Sequence, residues 1–241
     1  IQLPVSSEHF IYFAYQNEMD TEGNDPVTGE PLAVRTVQRY DQLLTSFYDY
    51  YAGLGFTEPQ HWWTQNIPLE ERKIPVRIEF PQDNTLLRMP NGAVGDRLDG
   101  NFYTGTFIVL SPLNFKSPDL TMTQITAHEL FHVFQFAKMS GTVPIPADFI
   151  HTYASMDRWL TEATAAHMGA VATLEKKDEL GLTITNARDF DNEDSDYLKR
   201  FTEFYPQKFN LPLPLSEYGA VPFWTHVWLT RGGHLPLKKA L

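Results

Sequence analysis

The sequence predicts an α+β protein with a sheet-bearing N-terminal subdomain and a mainly helical C-terminal one. Two observations carry that reading. Three β-rich runs fall within the first 110 residues, with a long amphipathic helix after the first of them. Beyond Gly141 the pattern turns helical, joined by proline-rich connections. The division is drawn at residues 1–140 and 141–241. At 241 residues the chain is one large domain or two small ones, and its 42% hydrophobic content is ample for a core.

Taken in order, His9–Tyr15 alternates and reads as a strand, followed by a polar loop over residues 16–31. Val37, Tyr40, Leu44, Phe47, Tyr51 and Leu54 then recur at steps of three and four, the spacing of one helix face. Gly53 and Gly55 end that helix, and its aromatic stripe reads as core rather than as a ligand box. Lys73–Phe80 is a second strand after a charged approach from Leu69. Gln82–Gly100 reads as a long loop, and Asn101–Leu110, bounded by Gly100 and Pro112, as a third strand.

The next helix carries the most informative motif. Ser117-Pro118-Asp119 offers an N-cap, a proline for the first turn and an early negative charge, while Ser140-Gly141 supplies the stop after Lys138. Leu120, Phe131 and Phe134 point one way; Ile125, His128, His132 and Phe136 fall nearer the other. Within it lies His128-Glu129-Leu130-Phe131-His132. Two imidazoles at i and i+4 share a helix face, so both ring nitrogens can reach one metal ion. Glu129 follows the first of them and can face a water on that ion, as a base for hydrolysis. The plainer alternative is a buried helix whose two histidines are satisfied by hydrogen bonds.

The third ligand separates the possible classes. A metzincin would continue with glycine and histidine where Gln135 and Lys138 stand, so that class is excluded. The other common solution takes a glutamate from a second helix, and Trp159–Ala166 is the place for it. Asp157 can cap that helix, and Glu162 shares its face with Trp159, Ala166 and Gly169. Ala163, Ala166, Gly169 and Ala170 are small enough to let the two helices lie close, which a short carboxylate needs. Rivals are Asp148, Asp157, His151, which reads as a loop residue, and His167, which is turned well away from Glu162. An ordinary solvent-facing carboxylate is the plain alternative for Glu162.

HELFH followed about thirty residues later by WLTEATA resembles the gluzincin superfamily of zinc peptidases. The likeness is greatest to its bacterial-collagenase-like and peptidase MA-like branches, whose third ligand sits in a W-x-x-E-(G/A)-x-A pattern. The resemblance implies a zincin-like fold, His128, His132 and Glu162 as Zn2+ ligands and Glu129 as base. It covers roughly the span from Phe102 to Trp228, and only the motifs are specific. Thermolysin-like enzymes have a shorter gap, which would fall near Thr152. They also place an aspartate one turn after the glutamate, where this chain has Ala166, so the partner of the ligand histidines must come from elsewhere. The GAMEN sequence of related aminopeptidases is absent, so nothing marks an exopeptidase.

Peptidases of the resembled type carry Tyr-Gly followed by Phe-Trp, and here Tyr218-Gly219 precedes Phe223-Trp224. Tyr218 is therefore the candidate catalytic donor to an oxyanion, with a tyrosine merely packed under the last helix as the alternative. Pro222 suits the first turn of that helix, on which His226 is a weaker candidate. In the resembled group the strand before the zinc helix borders the cleft and pairs with an extended peptide. Asn101–Leu110 takes that place unless it is an interior strand with both edges used.

The function that follows is zinc-dependent endopeptidase activity on a protein or peptide substrate. A non-catalytic peptidase fold binding protein or glycan, and a zinc hydrolase acting on a non-peptide amide, are the rivals. A net charge of −11 without a basic cluster speaks against a nucleic-acid partner. Zero cysteines excludes disulfides and thiolate chemistry. No apolar run approaches membrane-spanning length. The chain starts Ile1-Gln2 with no signal peptide, which points to a trimmed, secreted bacterial enzyme or a piece of one. The acidic runs Asp189–Asp196 and Asp20–Asp25 hold hard oxygen ligands that would suit Ca2+, although neither has EF-hand spacing and a solvated loop is the default.

Overall fold

The computed structural model describes residues 2, 7–13, 32–59, 73–78, 92–99, 102–110, 119–140, 158–184 and 220–240. In chain order the elements are β1 (Phe10–Phe13), α1 (Leu32–Gly53), β2 (Ile74–Ile78), β3 (Gly92–Asp99), β4 (Phe102–Leu110), α2 (Asp119–Ser140), α3 (Arg158–Glu175), α4 (Val221–Thr230) and α5 (Leu235–Ala240). Helices and one small mixed sheet make up the described structure. No described helix is long and apolar enough to cross a membrane.

The sheet runs in the order β1-β2-β4-β3. Parallel pairing sets Phe10 opposite Ile74 and Val76 opposite Ile108, while β3 lies antiparallel to β4 from Gly92↔Leu110 to Asp99↔Phe102. One sequence expectation is corrected here. Residues 92–99 form a strand rather than part of a loop; the run GAVGDRLD has little β-propensity of its own and is extended because β4 supplies a ladder. The third run, open in sequence between a peptide-binding edge and an interior strand, is interior over Ile108–Leu110, where β4 pairs with both β2 and β3. Among the described residues the outer strand on that side of the sheet is β3.

Phe10, Tyr12, Ile74, Val76 and Ile108 of the sheet are all buried. Helix α1 buries the predicted stripe of Val37, Tyr40, Leu44, Phe47 and Tyr51. It ends in a Schellman turn: Phe56 N–H donates to Tyr51 O at 3.2 Å and Gly55 N–H to Ala52 O at 2.7 Å. Gly55 takes φ +76°, a left-handed backbone that only glycine adopts without strain. That turn delivers Phe56 onto Phe131 of α2, ring centroids 5.2 Å apart and edge to face. Tyr51 packs the same way on Phe131 at 5.1 Å and on Phe134 at 5.5 Å. Truncating a ring as enclosed as Phe131 to alanine typically costs about 3–5 kcal/mol.

The opposite flank of α2 meets α3 through small residues. Ala163, Ala166 and Ala170 are buried, and a Cβ at Gly169 would stand only 3.0 Å from Gln124 O and 3.1 Å from His128 N. Glycine is what lets the two backbones approach this closely. One hydrophobic cluster runs from Phe10 through Leu44, Phe131 and Ala165 to Trp224 and Leu237. Both halves of the chain thus contribute to one core.

Candidate metal centre

Helix α2 positions the histidine pair. Its aromatic flank is pinned by α1, which turns His128 and His132 towards α3; the two rings stand edge to face with centroids 4.7 Å apart. Helix α3, held close by Gly169, brings Glu162 to the same point. The Nε2 atoms of His128 and His132 are 3.0 Å apart, and Glu162 Oε2 lies 3.5 Å from the first and 3.6 Å from the second. Among the described residues these three are the group of histidine and carboxylate side chains able to hold a metal ion.

The donor set can be tested against a metal. Three ligand atoms at about 2.0–2.1 Å in a tetrahedron stand about 3.3 Å from each other. The observed separations of 3.0, 3.5 and 3.6 Å bracket that value. Two imidazole nitrogens and one carboxylate oxygen suit a borderline divalent cation. The site is enclosed but not sealed: side-chain exposure is 6% at His132, 15% at His128 and 22% at Glu162.

Electrostatics point the same way. Burial pushes the Glu162 carboxyl up, but the imidazoles of His128 and His132 beside it, when protonated, hold it well below the usual carboxylate range. Burial pulls the His132 imidazole down, yet Glu162 raises it above its ordinary value, helped by Glu129 and Gln135. Glu162 is thus an anion aimed at two imidazoles. Glu129, next to the first histidine, is buried at 8% exposure.

Gln135 had no role in the sequence reading beyond excluding a metzincin. In the structure it is fully buried between the two helices. Its Oε1 lies 2.7 Å from His132 Nδ1, and its Nε2 donates to Thr161 O at 3.0 Å and to Thr164 Oγ1 at 2.6 Å. Thr164 in turn donates to Leu160 O. The partner that the sequence left unnamed for the histidine pair is thus, for His132, three residues along the same helix. The signal for it was the i, i+3 spacing from His132 together with threonines on either side of Glu162.

The other candidates fall differently. His167 is buried but faces α4, its Nδ1 3.1 Å from Thr225 Oγ1 and its ring 5.4 Å from Trp228. Burial holds its pKa down at about 4. His226 is exposed on α4, whose first turn contains Pro222 as expected. Tyr218, Asp148, His151, Asp157 and the acidic runs Asp20–Asp25 and Asp189–Asp196 lie outside the described residues.

No family model matches this chain, and no match is found among curated proteins or solved structures.

Proposed function

We propose that His128, His132 and Glu162 hold a zinc ion and that the chain is a gluzincin-type, zincin-like endopeptidase. The observation that carries this reading is the convergence of three ligand atoms from two helices within 4.8 Å of one another. Next to them stands Glu129, a buried carboxylate that metal binding alone does not require. When bound, zinc supplies Lewis acidity: it lowers the pKa of a water towards about 7 and polarises a carbonyl.

The chain's own groups do the rest. Glu129 accepts a proton from the attacking water and returns it to the departing amine. Glu162, kept anionic beside the imidazoles, neutralises part of the cation's charge. Tyr218 is the proposed oxyanion donor, on the strength of the Tyr-Gly…Phe-Trp pattern. Helix α2 packs against β3 and β4. An extended peptide would add to the outer side of β3, where main-chain pairing gives affinity with loose sequence preference.

The test measures zinc content and cleavage of casein together. Wild type is expected to carry one zinc, Glu162→Ala to lose it, and Glu129→Gln to keep it while turnover falls by orders of magnitude. Full zinc with no cleavage by wild type would favour a non-catalytic binding module. Full zinc in Glu162→Ala would remove the carboxylate from the site.

A further inference from the structure

We propose that Gln135 is the positioning residue of the centre, fixing which nitrogen of His132 faces the metal and tying that ring to the helix that carries Glu162. The inference rests on the zinc reading and extends it to a residue outside the ligand set.

The hydrogen-bond chemistry permits one arrangement. Thr161 O is a main-chain carbonyl and can only accept, so the amide atom 3.0 Å from it is the NH2 of Gln135. The hydroxyl proton of Thr164 is directed to Leu160 O, so its oxygen accepts from the same NH2. The remaining amide atom is the carbonyl oxygen, and it lies 2.7 Å from His132 Nδ1. An oxygen acceptor at that distance requires Nδ1 to carry a proton. In the neutral ring the lone pair is then on Nε2, the nitrogen 3.6 Å from Glu162 Oε2. A backbone carbonyl on α3 thereby dictates the tautomer of a histidine on α2.

Gln135 also straddles the glutamate. Its two acceptors belong to Thr161 and Thr164, one residue before and two after Glu162. Sliding or rotating α3 against α2 would break these bonds as it moved the carboxylate. The partner is a neutral amide rather than a carboxylate, so it orients the ring without adding a negative charge to the centre.

The experiment uses the zinc-loaded protein, with histidine rings followed by nitrogen-edited NMR and zinc affinity by competition with a chromophoric chelator. Wild type is expected to show a His132 Nδ1–H proton protected from solvent exchange. Gln135→Met, matched in size but without either bond, is expected to lose that protection and to bind zinc about 10–100-fold more weakly. Gln135→Glu keeps the acceptor and loses the donor. It is expected to retain the Nδ1–H signal and to bind more tightly than the methionine variant, while melting below wild type. Absence of the Nδ1–H proton in wild type overturns the proposal even if both variants fail to fold, as does wild-type zinc affinity in Gln135→Met. Failure of the zinc reading looks different: wild type would take up less than one equivalent, and His128→Ala would leave uptake unchanged, removing both claims.

Discussion

The Tyr51 hydroxyl donates to the main-chain oxygen of Ala127 at 3.0 Å, one residue before the first histidine of the candidate centre. The same hydroxyl lies 3.4 Å from Met168 O on α3. One side chain from α1 therefore touches both helices that bear the proposed ligands. Burial raises its pKa well above the usual tyrosine value, so the hydroxyl stays protonated and can only donate to these carbonyls.

Removing that hydroxyl tests the link. Tyr51→Phe keeps the ring contacts and deletes only the donor, so a loss of about 1 kcal/mol is expected. Thermal melting should show it as a fall of roughly 2–4 °C for a chain of this size. Unchanged melting would mean that the hydroxyl contributes nothing net.

Gly169 offers a sharper probe of helix spacing. Alanine would add about 1 kcal/mol of helix propensity, set against a Cβ pressed onto the backbone of Gln124 and His128. Valine gains less propensity and adds more bulk, so Gly169→Val should destabilise by about 1–3 kcal/mol. It should also weaken zinc binding, because α3 must back away and take Glu162 with it. Gly53→Ala, where a Cβ meets nothing within 4 Å, serves as the control and should leave metal binding intact.

His167 should make stability depend on acidity. Its folded-state pKa, held down at about 4 by burial, lies below the unfolded value near 6.5. Above the unfolded value both states are neutral and the ring contributes nothing. As pH falls through that value the unfolded chain binds a proton first. Stability is lost progressively until the folded ring titrates near pH 4, a total of order 3 kcal/mol. Between pH 7 and pH 4.5 the denaturant midpoint of wild type should fall further than that of His167→Phe, and an equal fall in both would mean that another group is responsible.

Metal removal is the fourth prediction. Zinc at a hundred times its dissociation constant stabilises by about 2.7 kcal/mol, which corresponds to roughly 5–10 °C here. Chelation should lower the melting temperature by that much and zinc should restore it. His132→Ala should show no such response.

Much of this was legible because helix periodicity and capping are local. The α1 stripe and its glycine stop, the course of α2 and the small face of α3 all follow from spacing. The proximity of Glu162 to the histidines could be inferred from those small residues. Strand β3 could not: its extended form depends on β4, not on its own residues. The choice between edge and interior for β4 stayed open for the same reason, since strand order is a property of the whole sheet. Gln135 escaped because a buried amide is written in sequence like an exposed one; only the acceptors on α3 reveal its orientation.

The left-handed turn at Gly55 has reach beyond its own helix. It reverses the chain so that Phe56 wedges against the back of the helix whose front carries the imidazoles. An L-residue there would strain the reversal and let that wedge swing out. A defect some seventy positions upstream would then surface as a loosened grip on the proposed cation, with all three candidate side chains still in place.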